Sequence, residues 1–126
     1  MAKRRMLAIS IIENDVFCSL TPSSQALYLH LIMNADDDGI VDKWKSLLRY
    51  LSIRQQHIQP LIDTGLVIKL DGDLLLISDW LIHNKIRLDK YGEGRYKDRL
   101  ETLLMHKDGR YYKASEAFLT TQDKLI

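Results

Sequence analysis

The sequence predicts an α+β fold in which helices predominate, with one two-stranded β-hairpin. Over the first 64 positions, apolar residues recur mainly at three- and four-residue steps, which is typical of helices buried on one side. The pattern becomes strand-like at 66–70 and again at 74–77, and the intervening Asp71-Gly72 favours a two-residue hairpin turn. The chain has 126 residues, of which 46% are hydrophobic, and this is enough for one globular core.

The first elements are indicated by spacing and by one strong helix-start signal. Residues 7–9 are expected to form a short strand and residues 11–18 a short helix. Thr21 is a good N-cap, and Pro22 follows it at the first helical position, where its missing N–H costs nothing. A longer helix should therefore run over about 22–35.

Two short helices joined by a tight turn are predicted next. One should run over about 43–51, and the sequence Ser52-Ile53-Arg54-Gln55 matches a reciprocal capping box that would open another over about 53–64. Pro60 lies inside the latter and should either bend or shorten it. This arrangement is a helix-turn-helix, and the hairpin directly after it would be its wing. An additional C-terminal helix is predicted over about 96–107.

No residue pattern typical of a catalytic or metal site occurs in the sequence. The four histidines lack metal-ligand spacing, and the acidic turn at 36–39 is not a calcium loop, because Ile40 stands where Asp or Asn is required. Residues 40–41 are instead expected to form a short paired strand. Cys18, the only cysteine, is predicted to be a small core residue of a cytoplasmic protein. We therefore expect no enzymatic activity, no cofactor and, since apolar runs are short, no membrane partner.

Charge is distributed unevenly, although the net charge is only +1. Residues 6–42 contain six acids and no Lys or Arg, residues 43–63 contain four basic residues and one acid, and residues 85–99 contain six basic residues and three acids. A polyanion would be attracted to the later elements and repelled by the early ones. Solvated charges that segregate without functional consequence are an equally good interpretation.

The helix predicted over 53–64 presents a candidate base-reading surface. Its apolar residues point inward, so Gln55, Gln56 and Gln59 should project outward, and glutamine can pair with adenine through two hydrogen bonds in the major groove. A plain solvated polar face is the alternative. Nearby basic residues are candidates for DNA contact, mainly with phosphates; they are Lys43, Lys45, Arg49, Arg54, Lys69, Lys85 and Arg87.

Trp80 and the pair His83-Asn84 are predicted to be structural. The segment leaves the hairpin and must fold back over the helices, and a large aromatic residue with a nearby amide suits that task.

Four stretches of the chain carry a resemblance to a known family. They are residues 24–31, residues 35–42, residues 61–68 and residues 80–87, and the most distinctive parts are the Asp-Asp-Asp-Gly turn and the Trp-x-x-His-Asn segment. In this order and spacing, the stretches resemble the N-terminal winged-helix domain of phage replisome organisers, which are relatives of the DnaD-type replication initiators of low-GC Gram-positive bacteria.

The resemblance implies a domain over residues 1–95 that binds origin or single-stranded DNA and helps recruit a helicase or its loader. Residues 96–126 would form a helix and tail leading toward a further domain. Relatives also self-associate, so an oligomerisation scaffold is a second hypothesis, to which residues 7–9 would contribute, as would the apolar tail residues Phe118, Leu119, Leu125 and Ile126. A phage transcription regulator with the same fold is a third hypothesis.

Overall fold

The computed structural model of the protein describes residues 3–84, 91–105 and 109–113. Within these ranges the α-helices are α1 (Ile9–Ile12), α2 (Asp15–Cys18), α3 (Pro22–Asn34), α4 (Trp44–Leu51), α5 (Gln59–Asp63) and α6 (Trp80–His83). The strands are β1 (Ile40–Val41), β2 (Val67–Leu70), β3 (Leu74–Ile77), β4 (Leu103–Met105) and β5 (Tyr111–Lys113), and two 3-10 helices span Gln55–His57 and Lys97–Thr102. The expectation of a mainly helical α+β fold is confirmed.

Helix α3 forms the centre of the core and begins as its sequence predicts. The hydroxyl of Thr21 accepts a hydrogen bond from the backbone N–H of Ser24 at 3.2 Å, which satisfies one of the unpaired donors of the first turn. Its buried apolar side is made of Leu27, Tyr28, Leu31 and Ile32, which are inaccessible to solvent. Burial of this side, more than helix propensity, holds α3 in place.

The main sheet is antiparallel, has the strand order β1-β3-β2 and is covered on both faces. In the central strand β3, Leu75 and Ile77 face the helical core, whereas Leu74 and Leu76 belong to a second apolar cluster that includes Tyr111. Because both faces are covered, all four residues of β3 are buried and the strand is continuously apolar rather than alternating.

The predicted hairpin forms, but its loop is one residue longer than expected. Leu70 pairs with Leu74, so three residues, 71–73, connect the strands. Gly72 and Asp73 both have positive φ, at 81° and 57°. The prediction of a two-residue turn is therefore wrong. Asp73 provides the backbone carbonyl that accepts a hydrogen bond from Trp44 Nε1 at 2.9 Å, which attaches the loop to α4.

The N-terminal segment differs from its prediction. In the structure residues 7–9 form no strand, and the helix predicted over 11–18 is divided into α1 and α2. Asn14 causes the division, because its side-chain oxygen accepts a hydrogen bond from the N–H of Val16 at 2.8 Å and caps α2. Cys18 is exposed, so its placement in the core was also wrong.

The second helix of the predicted helix-turn-helix is shorter than expected. Ser52 does not open it: this residue ends α4 in the left-handed region, with φ 56°, and its N–H donates to the carbonyl of Arg49. The predicted capping box is therefore wrong. Residues 53–64 form a 3-10 turn followed by α5, and Pro60 lies in the first turn of α5, where no backbone N–H is needed.

The C-terminal helix predicted over 96–107 does not continue over 103–105, and residues 106 and 107 lie outside the described residues. The chain forms the 3-10 helix and then β4, which pairs antiparallel with β5. Tyr111 of β5 packs in the second apolar cluster, and its N–H donates to the carbonyl of Ser78 at 2.9 Å. This segment therefore closes the outer face of the main sheet.

Candidate nucleic-acid interface

Four of the predicted DNA-binding residues line one open groove beside α4, which we call the basic groove. The groove has a volume of about 280 Å³ and is lined by Lys45, Leu48, Arg49, Ser52, Ile53, Arg54 and Gln55. Lys45 and Arg49 are four residues apart and share the exposed side of α4, because Trp44 and Leu48 occupy its buried side. The left-handed turn at Ser52 then redirects the chain, and Arg54 and Gln55 complete the lining.

The tip of the hairpin is fixed beside the basic groove. Trp44 holds the backbone of Asp73, and the ammonium group of Lys45 lies 3.3 Å from the carboxylate of Asp73. Both charged side chains are about half exposed, so this ion pair is weak. Lys69 is exposed on β2 of the same hairpin. Helix α4 and the hairpin therefore present one continuous surface.

The acidic turn at 36–39 is bonded to other segments inside the protein and is not an exposed negative surface. Asp37 and Asp38 are buried, and the guanidinium Nη1 of Arg5 lies 2.9 Å from Asp37 Oδ1. The backbone N–H groups of Gly92 and Gly94 donate to the carboxylates of Asp37 and Asp38, at 2.9 and 2.8 Å. These buried charges are therefore compensated inside the protein.

Asp36 belongs to the same turn. Its Oδ1 accepts hydrogen bonds from the N–H groups of Asp38 and Ile40, while burial raises the pKa of its carboxyl. The exposed acids of the early segment are then only Glu13, Asp15 and Asp42. The repulsion of a polyanion by the early elements is accordingly weaker than the sequence indicates.

The remaining predicted residues are not brought into the basic groove. Gln56 is exposed but does not line the basic groove. Gln59 donates from Nε2 to Asp63 Oδ1 at 2.8 Å, so its amide is bonded to its own helix. Lys43 lines a different groove, on the other side of α4. Lys85 and Arg87 lie outside the described residues.

Tyr50 was missed by the sequence analysis, although it is a prominent residue of α4. Its side chain is 86% exposed. The helical spacing that directs Trp44 and Leu48 inward also directs Tyr50 outward, so the signal was present in the sequence.

Trp80, His83 and Asn84 are structural, as predicted. All are buried; Trp80 Nε1 donates to the carbonyl of Asp37 at 3.0 Å, and Asn84 Oδ1 accepts from the N–H of Met6 at 2.7 Å. His83 Nδ1 accepts from the N–H of Ala8 at 2.8 Å. These hydrogen bonds therefore attach the N-terminal segment around Met6 and Ala8 to the core.

Within the described ranges, no three His, Cys, Asp or Glu side chains are grouped closely enough to hold a metal ion. In those same ranges, no helix has the length and apolar character needed to cross a membrane.

Comparison of the chain with protein-family models, with curated proteins and with solved structures yields no match.

Proposed function

We propose that this chain is the winged-helix DNA-binding module of a replication-initiation protein of the phage replisome-organiser type. In this role it contacts origin or single-stranded DNA and helps recruit the helicase-loading machinery. One observation carries the proposal: Lys45, Arg49, Arg54 and Gln55, each selected from sequence as a DNA contact, line one groove beside the hairpin tip.

The order of the elements supports a winged helix-turn-helix. A helix (α3) and a short strand (β1) precede α4, and the segment 55–63 and the β2-β3 hairpin follow it, with β1 pairing to the far side of β3. On this assignment α4 is the first helix of the helix-turn-helix, 55–63 is the recognition segment and the hairpin is the wing.

The short recognition segment determines how DNA would be bound. A 3-10 turn and a five-residue helix reach few base edges, whereas Lys45, Arg49 and Arg54 are suited to phosphates. Gln55 is the groove residue able to pair with adenine. Most of the affinity would therefore come from counterion release, with modest sequence preference.

A salt series tests the proposal. Fluorescence anisotropy would measure the affinity of the purified chain for double- and single-stranded oligonucleotides between about 50 and 200 mM salt. We expect Arg49→Ala and Arg54→Ala each to weaken binding and to flatten the log–log salt slope by about 0.9 per lost contact. Arg95→Ala removes the same charge from an exposed position outside the groove and is the matched control. Equal effects of all three variants, or binding that is insensitive to salt, would contradict the proposal.

A second candidate function is supported by the N-terminal segment. Met6, Leu7, Ile9 and Val16 are exposed, and Ile9 is 72% exposed. A group of exposed apolar side chains fits an oligomerisation scaffold of a replication-initiation complex. Sedimentation velocity tests this candidate: Ile9→Glu should dissociate any oligomer while leaving DNA affinity per chain unchanged, and an unchanged oligomeric state would contradict it.

A further inference from the structure

A second groove lies on the opposite side of α4 from the basic groove, and we call it the tyrosine groove. One wall consists of Lys43, which directly precedes α4, and of Ser46, Leu47, Tyr50 and Leu51 on α4. The other wall consists of His30 and Asn34 on α3. The spacing of Lys43, Ser46, Leu47 and Tyr50 places them on one helix face. The groove has a volume of about 340 Å³, within the range of roughly 300–1,000 Å³ typical of ligand clefts.

The tyrosine groove combines one accessible aromatic ring with polar walls. Tyr50 is the most exposed of the large apolar side chains in the described residues. Asn34 donates from Nδ2 to the carbonyl of His30 at 2.8 Å, which leaves its Oδ1 able to accept a further hydrogen bond. The Ser46 hydroxyl oxygen accepts a hydrogen bond from Arg49 Nη2 at 3.2 Å, and its O–H can still donate. Lys43 brings a positive charge to the rim. An aromatic face with hydrogen-bonding groups beside it suits a planar polar ligand.

Charge decides which planar ligand fits best. Positions 43–62 contain four basic residues and no acidic residue. Lys45, Arg49 and Arg54 line the basic groove and Lys43 lines the tyrosine groove, so a polyanion is attracted to α4, most strongly on its basic-groove side. In a duplex, each base has its faces covered by its neighbours, whereas an unpaired base offers a face to an aromatic side chain. An unpaired nucleobase on a flexible single strand therefore matches both the ring and the charge.

We infer that Tyr50 is a stacking platform for one unpaired base of single-stranded DNA, with Lys43 at a neighbouring phosphate. Arg49 and Tyr50 are consecutive residues on the exposed side of α4, so one strand can cross the helix with its backbone in the basic groove and a base in the tyrosine groove. This inference rests on the proposed function and assigns to it a preference for single-stranded over duplex DNA.

The test compares Tyr50→Ala with Tyr50→Phe on three probes. The probes are an oligothymidine strand, the same strand with one abasic position at each successive site, and a duplex of equal length, all measured by fluorescence anisotropy. Tyr50→Ala should weaken binding of the oligothymidine strand roughly 5- to 100-fold, the range expected for loss of one base–aromatic stack. Tyr50→Phe keeps the ring and should bind within about twofold of the unmodified protein. Duplex affinity should be unchanged in both variants.

The abasic probe separates stacking from a general loss of binding. One abasic position should weaken binding of the unmodified protein but have no further effect on Tyr50→Ala, because the stacked base and its platform form one interaction. Circular dichroism of Tyr50→Ala should be unchanged, since the side chain is exposed.

Three results would overturn the inference, and they differ in what they leave standing. If Tyr50→Ala binds the strand as well as the unmodified protein while Arg49→Ala does not, the base-stacking role is wrong and DNA binding by the basic groove stands. If Tyr50→Ala instead changes only the sedimentation coefficient, Tyr50 belongs to a protein interface. If the unmodified chain binds none of the three probes at low salt, the proposed function fails together with the inference.

Discussion

Nε2 of His83 and the hydroxyl oxygen of Tyr28 lie 2.8 Å apart in the interior of the protein. Because Nδ1 of His83 accepts from the N–H of Ala8, the neutral ring carries its proton on Nε2 and donates it to Tyr28. Burial lowers the pKa of His83 to about 4 and raises the pKa of the Tyr28 hydroxyl above its usual range. One neutral imidazole thus joins the N-terminal segment, α3 and α6.

The first prediction is a loss of stability in weak acid. His83 binds a proton near pH 6.5 in the unfolded chain but only near pH 4 in the folded protein, so the unfolded state binds more protons between these values. The free energy of unfolding should therefore fall as pH decreases through this window, by at most about 1.4 kcal/mol per pH unit from this group. Urea denaturation at intervals between pH 7.5 and 4 measures it.

His83→Gln is the matched control for this prediction. Glutamine can accept from Ala8 and donate to Tyr28, but it does not titrate. The free energy of unfolding of the unmodified protein should therefore fall relative to that of His83→Gln as pH decreases. The contributions of carboxylates that titrate in both proteins cancel in this difference. A difference that stays constant from pH 7.5 to 4 would show that His83 is not the titrating group.

The second prediction concerns the close approach of Gly39 to Trp80. Gly39 has φ 87°, and a Cβ added to it would lie 2.5 Å from Trp80 Cγ. Gly39→Ala should therefore lower the free energy of unfolding by roughly 2–5 kcal/mol, from backbone strain and from displacement of the buried indole. Gly72→Ala shares the positive φ, at 81°, but its Cβ would meet nothing closer than 3.7 Å, so about 1–2 kcal/mol is expected. Thermal unfolding of both variants gives the comparison.

The third prediction contrasts a buried ion pair with an exposed one. Arg5→Met removes the guanidinium group that lies beside the buried carboxylate of Asp37, and the free energy of unfolding is expected to fall by about 3–5 kcal/mol. Lys45→Met breaks the exposed pair with Asp73 and should cost at most about 1 kcal/mol. Urea denaturation of the two variants measures this difference. Similar losses in both would mean that the acidic turn is not held by Arg5.

The helices and hairpin that could be predicted are those with strong local signals. The cap at Thr21 with Pro22 after it defined the start of α3, and Asp71-Gly72 located the hairpin, since both signals depend on neighbouring residues alone. The capping-box pattern at Ser52 was misleading. A serine is compatible with an N-cap, but here it has to end α4 in the left-handed region, and Pro60 restricts the next helix to 59–63.

Long-range packing accounts for the elements that were missed. Leu100 and Leu103 have helical spacing, yet they pack with Tyr111 on the outer face of the sheet, and this contact competes successfully with the helix. The same reasoning applies to the site. Arg54 and Gln55 were chosen as members of a long helix, and they reach the basic groove because the chain turns at Ser52 instead. Tyr50 is apolar, so hydrophobic patterning places it with the core residues of its helix, whereas its position relative to Trp44 and Leu48 turns it toward solvent.

The fourth prediction concerns the turn that shapes the basic groove. Ser52 occupies the left-handed region without the freedom of glycine, so Ser52→Gly should raise the free energy of unfolding by about 0.5–1 kcal/mol. Ser46 is exposed and lies within α4, so Ser46→Gly should instead lower the free energy of unfolding by about 0.5 kcal/mol. Both variants remove the same hydroxymethyl group, and Ser46→Gly also removes an exposed hydrogen bond from Arg49 at 3.2 Å. The gain in Ser52→Gly, which has the opposite sign, therefore reports the backbone effect in thermal denaturation. Equal signs would contradict the assigned conformation of Ser52.

The last prediction separates affinity from sequence preference within the basic groove. Gln55 lines the groove, whereas the amide of Gln59 is engaged by Asp63 and must break that hydrogen bond before it can pair with a base. Gln55→Ala should therefore change the preference among duplexes selected from a random pool, by about 1–3 kcal/mol at one position if a bidentate adenine contact is lost. Gln59→Ala should change the sequence preference less, and Arg54→Ala should weaken binding to all sequences alike. If Gln59→Ala alters the preference more than Gln55→Ala does, DNA approaches α5 from outside the groove, and the assignment of Gln55 is wrong.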